Sequence, residues 1–185
     1  MNKIQKYSIG AALALFYYLA YSGNLSHIIA YHEQHHLFLF TEAYFEQQVQ
    51  SEGFFSYLTD FIIQFFYYPA LGSALLALLL ASVYLMTSNI IRFLFGKEDL
   101  LHLSVIPSLA LFYHTMEASH TLVPITISVL TLAIINLMLW ITRSHMPLIP
   151  LFKNFHIQKK GIRTGITAVA LLFYAGYGYY HFVKS

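Results

Sequence analysis

Residues 69–91 read PALGSALLALLLASVYLMTSNII, without one Asp, Glu, Lys or Arg. A helix that crosses a bilayer needs about 20 mostly apolar residues, because it rises about 1.5 Å per residue through about 30 Å of hydrocarbon. This stretch meets that need. The same lack of charge extends back to Phe61, giving a charge-free run over Phe61–Ile91, and recurs over Tyr7–Tyr31, Ala118–Ile141 and Thr164–Val183. A fifth apolar run, Leu100–Met116, is interrupted by His102, Pro107 and His114. The expectation is an all-α polytopic membrane protein, a single membrane domain over 1–185. Its five transmembrane helices fall at about 7–28, 70–92, 100–117, 121–142 and 164–182.

The whole composition agrees. Of 185 residues 58% are hydrophobic and 10% charged, and the mean hydropathy is +0.60. Soluble domains carry about 25% charged residues, so this chain is no disordered segment, coiled coil or ordinary cytosolic enzyme. Cysteine is absent, which excludes a disulfide framework, a thiolate metal site and a cysteine nucleophile. No nucleotide-binding glycine loop or nucleophile elbow occurs, and the basic residues form no nucleic-acid recognition module.

Charge placement gives the orientation. With the N-terminus in the cytoplasm, Lys3, Lys6, Arg92, Lys97, Arg143, Lys153, Lys159, Lys160 and Arg163 fall inside and only Lys184 outside. Basic residues gather on the cytoplasmic side of membrane proteins. The acids Glu33, Glu42, Glu46, Glu52, Asp60 and Glu117 fall outside. Lys3 and Lys6 before an apolar run, with Ala20-Tyr21-Ser22 beyond it, also have the form of a signal peptide. The segment is read as a span that directs insertion. The loop from Arg143 to Arg163 is read as a cytoplasmic loop that fixes topology and touches anionic lipid.

The first outer loop, residues 29–69, has no Lys or Arg. Within it Ser56, Asp60 and Gln64 recur every four residues in an otherwise apolar and aromatic stretch, 54–68. That pattern predicts an interfacial amphipathic helix with its aromatics at headgroup level. Pro69 then starts the second span, since proline fits a helix's first turn.

Two polar clusters could carry chemistry. In the first, His32-Glu33-Gln34-His35-His36, a helix would place His32, His35 and His36 on one face. Imidazoles at i and i+4 can share a divalent metal with a third ligand. The letters also satisfy His-Glu-x-x-His, with Glu33 as the catalytic base of a metal-assisted hydrolase. The alternative is a set of polar residues at a helix end in the headgroup region. The second cluster is His114, Glu117 and His120. It lies at the same membrane face and can converge with Glu33 or His36, or form a solvated turn. His102, His145 and His181 raise a further alternative, haem held between spans. Gly165, Gly176 and Gly178 read as helix-packing positions, with an outer tyrosine belt beside them.

Part of the chain resembles known families. Glu33-Gln34, Leu37–Phe40, Gly53, Gln64–Tyr68 and Pro69–Gly72 look like the N-terminal region of an uncharacterised family of multipass membrane proteins from Bacteroidota. The resemblance covers Tyr31–Leu80 and implies a bacterial inner (plasma) membrane protein. Members are usually longer, so it also implies a short form or a truncation. The layout is similar to the start of GT-C membrane glycosyltransferases, in which an acid near the top of the first span acts as base or metal ligand. By position Glu33 takes that role.

The function expected is that of a membrane subunit or scaffold. Its acidic, histidine-rich outer loop would contact lipid or a membrane protein partner. The alternatives are a GT-C-like enzyme with Glu33 as base, and a haem-binding electron carrier.

Overall fold

The structure is a computed structural model and describes residues 3–33, 38–95, 103–117 and 120–143. The chain divides into two compact units, Met1–Asn136 and Leu137–Ser185. The described residues form helices only, with no strand among them. These are α1 (Lys3–Gly23), α2 (Leu25–Glu33), α3 (Glu42–Ser51), α4 (Phe54–Ile63), a 3-10 turn (Gln64–Tyr67), α5 (Pro69–Phe95), α6 (Val105–Thr115) and α7 (Val123–Arg143). The expected fifth span, 164–182, lies outside the described residues.

Among the described residues two helices are long and apolar enough to cross a membrane, Pro69–Phe93 in α5 and Val123–Trp140 in α7. The 27 residues of α5 extend about 40 Å, more than the hydrocarbon thickness. Helix α1 has the length of α7, but Gln5, Lys6 and four tyrosines make it less apolar. Two of those tyrosines, Tyr17 and Tyr21, are fully buried.

The predicted first span is not continuous. The helix stops at Gly23 and restarts at Leu25. Asn24 makes the joint: its N–H donates to the Tyr21 carbonyl and its own carbonyl accepts from the His27 N–H. The Ser26 hydroxyl donates to the Asn24 side chain. Asparagine favours such joints because its side chain satisfies nearby backbone groups. The described part of the third span is also shorter than expected, 11 residues in α6.

α5 is the central post of the first unit and packs against α1, α2, α6 and the 3-10 turn. The core joins Tyr17, Tyr21, Ile28 and Tyr31 of α1–α2 to Leu76, Ala77 and Leu80 of α5, with Ile63, Phe66, Leu122 and Ile125 around them. Close approach at the top of α5 depends on Gly72. A Cβ there would lie 2.9 Å from both Ile28 Cγ2 and Phe66 Cδ1. At the other end of α5, Asn89 Oδ1 accepts from the buried Lys6 ammonium.

The loop between α2 and α5 holds two helices where one was expected. α3 is strongly polar and has no buried residue, so composition alone reads it as loop. Its start is fixed by Thr41, whose hydroxyl accepts from the Tyr44 N–H, as N-cap residues do. Gly53, at φ 94°, turns the chain from α3 into α4. Only glycine takes that left-handed conformation without strain. α4 then directs Thr59, Asp60 and Ile63 inward.

Candidate functional site

Of the polar stripe, Asp60 faces the protein, while Ser56 and Gln64 are half-buried. Asp60 is 4% exposed, and its carboxylate accepts from the Gln48 amide of α3 at 2.8 Å. That contact joins α3 to α4. Beside it, Thr59 Oγ1 lies 2.8 Å from both the Phe55 carbonyl and the Thr126 hydroxyl, which ties α4 to the start of α7. Burial first, and then the Asp60 carboxylate, push the Tyr44 phenol up from its ordinary value.

A series of tyrosines joins α1 and α2 to α6. Ser108 Oγ donates to the Leu80 carbonyl at 2.7 Å, so the Tyr17 hydroxyl must donate to Ser108, at 2.8 Å. Two helix turns along α6, Thr115 Oγ1 donates to the Phe112 carbonyl and accepts from the Tyr21 hydroxyl. Phe112 packs between these two tyrosines, with ring centroids 5.0 Å from Tyr17 and 5.6 Å from Tyr21. Each hydroxyl proton is therefore directed, and each hydroxyl is satisfied away from water, as burial requires.

Tyr31 completes the series from α2. Its hydroxyl lies 3.3 Å from the carbonyls of both Thr115 and Glu117. Those carbonyls lie at and just beyond the end of α6, where a helix leaves acceptors without intrahelical partners. Burial pushes the Tyr31 phenol up to about 12. The end of α2, with His32 and Glu33, is held to the turn that carries His114, Glu117 and His120.

In that turn the rings of His114 and His120 stack, 4.4 Å between centroids and 9° apart. His120 Nδ1 is 3.0 Å from the His114 carbonyl, so the Nδ1–H tautomer donates there. His120 Nε2 is 3.5 Å from a Glu117 carboxylate oxygen. Both ring nitrogens of His120 thus face groups of its own turn. His32 lies against Tyr67, with centroids 5.9 Å apart. Glu33 is exposed at the end of α2. His35 and His36 lie outside the described residues, as do His102, His145 and His181. Among the described residues no three His, Asp or Glu side chains come together to hold a metal ion.

The sequence reading expected Glu33 or His36 to meet the second cluster. Among the described residues the meeting is made by Tyr31, two residues before Glu33. Tyr17, Tyr21, Ser108 and Thr115 also escaped that reading, which searched for ligands and bases. The available signal was spacing: Tyr17 and Tyr21 are four apart, and Ser108 and Thr115 seven apart, so each pair shares a helix face.

The chain belongs to a family of unknown function, DUF6057, which it matches over residues 2–184. The match extends well beyond the Tyr31–Leu80 stretch. No curated protein and no solved structure matches the chain.

Proposed function

We propose that the chain is an integral membrane protein of five spans, with its N-terminus in the cytoplasm and its C-terminus outside. In this reading it is a non-catalytic subunit or scaffold. Its outer face, built from the end of α2 and the α6–α7 turn, contacts a membrane protein partner. Two helices of spanning length and the placement of the basic residues support the membrane reading. α1 joins as a span because its inward tyrosine hydroxyls are satisfied within the protein, which removes the main cost of carrying them through lipid.

The Tyr31 bond to the α6–α7 turn is the observation that carries the scaffold reading. It joins His32 and Glu33 at the end of α2 to the turn that carries His114, Glu117 and His120. The exposure of Glu33 favours a recognition surface over a glycosyltransferase base, which works best where water is excluded.

Cysteine is absent from the chain, so single substitutions give clean labels. In intact cells, Q47C and E117C react with an impermeant maleimide and R92C does not. Labelling of R92C from outside would overturn the orientation. A cysteine-directed crosslinker on E33C or E117C then gives a discrete adduct in native membranes. A chain that remains free of adducts from both positions would overturn the scaffold reading.

A further inference from the structure

Resting on the membrane reading above, we infer that the exposed edge of the α3–α4 pair lies in the outer leaflet, bedded among zwitterionic phospholipids at the boundary between headgroups and acyl chains. The rings of Phe40, Phe61 and Phe65 form a continuous row, with centroids 5.9 Å and 5.5 Å apart. Phe40 is 80% exposed, and Phe61 and Phe65 are exposed too. The row is held from below by Phe38, which is buried and touches Phe40 and Phe61 at 4.9 Å and 5.7 Å. Phe38 also touches Tyr44 and Tyr57, which fixes the row to both helices.

Three features point to lipid. First, α4 is inverted relative to a helix on a protein surface in water. Its carboxylate, Asp60, points inward and is hydrogen-bonded, while Phe61 next to it points out. Such a face gains by leaving water, in proportion to its apolar area. Second, height is set by the chain. Phe65 lies four residues before Pro69, where α5 starts its apolar run. Tyr67 and Tyr68, both exposed, stand at that start, where aromatic belts mark the membrane interface. Third, the polar side of the pair is α3, with Glu42, Glu46, Gln47 and Gln50 exposed to water. An amphipathic unit of this kind lies in the interface plane, its apolar face about 5–10 Å deep.

Charge selects the lipid. No Lys or Arg occurs between Lys6 and Arg92, while Glu33, Glu42, Glu46 and Glu52 are exposed. Anionic headgroups bind basic clusters and are repelled by this surface. Zwitterionic headgroups present an ammonium that the carboxylates of α3 accept.

The chain has one tryptophan, Trp140, in the apolar part of α7, and it serves as the internal control. Full-length F61W and F40W, each with W140F, are reconstituted in phosphatidylethanolamine–phosphatidylcholine vesicles. Emission is then quenched with phosphatidylcholine brominated at shallow or deep acyl positions, or with iodide. The expected result is a loss of most F61W and F40W emission to the shallow bromines, with little loss to iodide. Replacing the zwitterionic lipid by phosphatidylglycerol reduces that loss. Quenching of both by iodide alone would place the row in water and overturn the inference. Protection from lipid and iodide together would show a protein interface and overturn it equally. Quenching of Trp140 by brominated lipid in the unaltered chain tests the membrane reading separately. If Trp140 is quenched and the two new tryptophans are not, only the present inference falls.

Discussion

Gly72→Ala adds one methyl group at the most closely packed of the described glycines. The backbone at Gly72 is helical, so the effect is steric. Its Cβ would stand 2.9 Å from Ile28 Cγ2 and 2.9 Å from Phe66 Cδ1, where carbon atoms prefer about 3.5–4.0 Å. Ile28 is 0% and Phe66 1% exposed, so neither has room to withdraw. Overpacking of this kind costs about 1–3 kcal/mol. Alanine regains up to about 1 kcal/mol of helix propensity, and less where the unfolded reference state keeps its helices in the membrane. The net expectation is a loss of about 1–2 kcal/mol, or about 5–30-fold in the folded-to-unfolded ratio. Denaturation in mixed micelles, followed by circular dichroism, measures it. Gly23→Ala is the control, since nothing lies within 4 Å of its Cβ, and it should be near neutral. Ile28→Ala in the same chain should offset part of the Gly72→Ala cost, a coupling that a double-mutant cycle reads. If Gly72→Ala leaves stability unchanged or raises it, the account of this crossing is wrong.

Other outcomes follow from the hydrogen bonds. Tyr31→Phe should lower stability by about 0.5–1.5 kcal/mol and speed amide exchange in residues 114–117, where Tyr31 holds the Thr115 and Glu117 carbonyls; unchanged exchange there would count against it. The folded Tyr31 phenol titrates near 12 rather than 10.0. Its contribution is therefore fully present below pH 10 and is lost as pH rises from 10 to 12; alkaline unfolding curves of the parent should fall more steeply across that window than those of Tyr31→Phe. Thr59→Val leaves Thr126 without its inter-helix partner and should cost about 1 kcal/mol, whereas Thr59→Val with Thr126→Val should cost less than the sum of the two single changes, as measured by the same denaturation.

Long apolar runs were legible because they depend on composition alone. α5 and α7 begin within two residues of the positions expected. What composition misses is interruption. The charge-free run from Tyr7 to Tyr31 passes through Gly23-Asn24 without a change in charge, yet those two residues end one helix and start another. α3 was missed for the opposite reason, since its Glu and Gln residues read as loop although Thr41 marks a helix start. In the candidate site, both polar clusters were visible and their shared end was expected. The group that joins them was not, because Tyr31 acts on backbone carbonyls more than 80 residues away. The stripe of Ser56, Asp60 and Gln64 was also visible, but a period of four gives no sign of which side faces the protein. Gln48, twelve residues earlier, decides that for Asp60.

Thr115 receives Tyr21 on its side chain and Tyr31 on its carbonyl. α6, as described, is about 16 Å long, about half the hydrocarbon thickness. A helix that ends so early must have its last carbonyls satisfied by protein if it lies in lipid. Synthesis runs from the N-terminus, so both tyrosines leave the ribosome more than 80 residues before the acceptors that need them. The chain thus makes the Tyr31 cap before the helix it closes. Placing the same segments in the reverse order, by circular permutation, would expose the end of α6 during insertion even if the finished fold were unchanged.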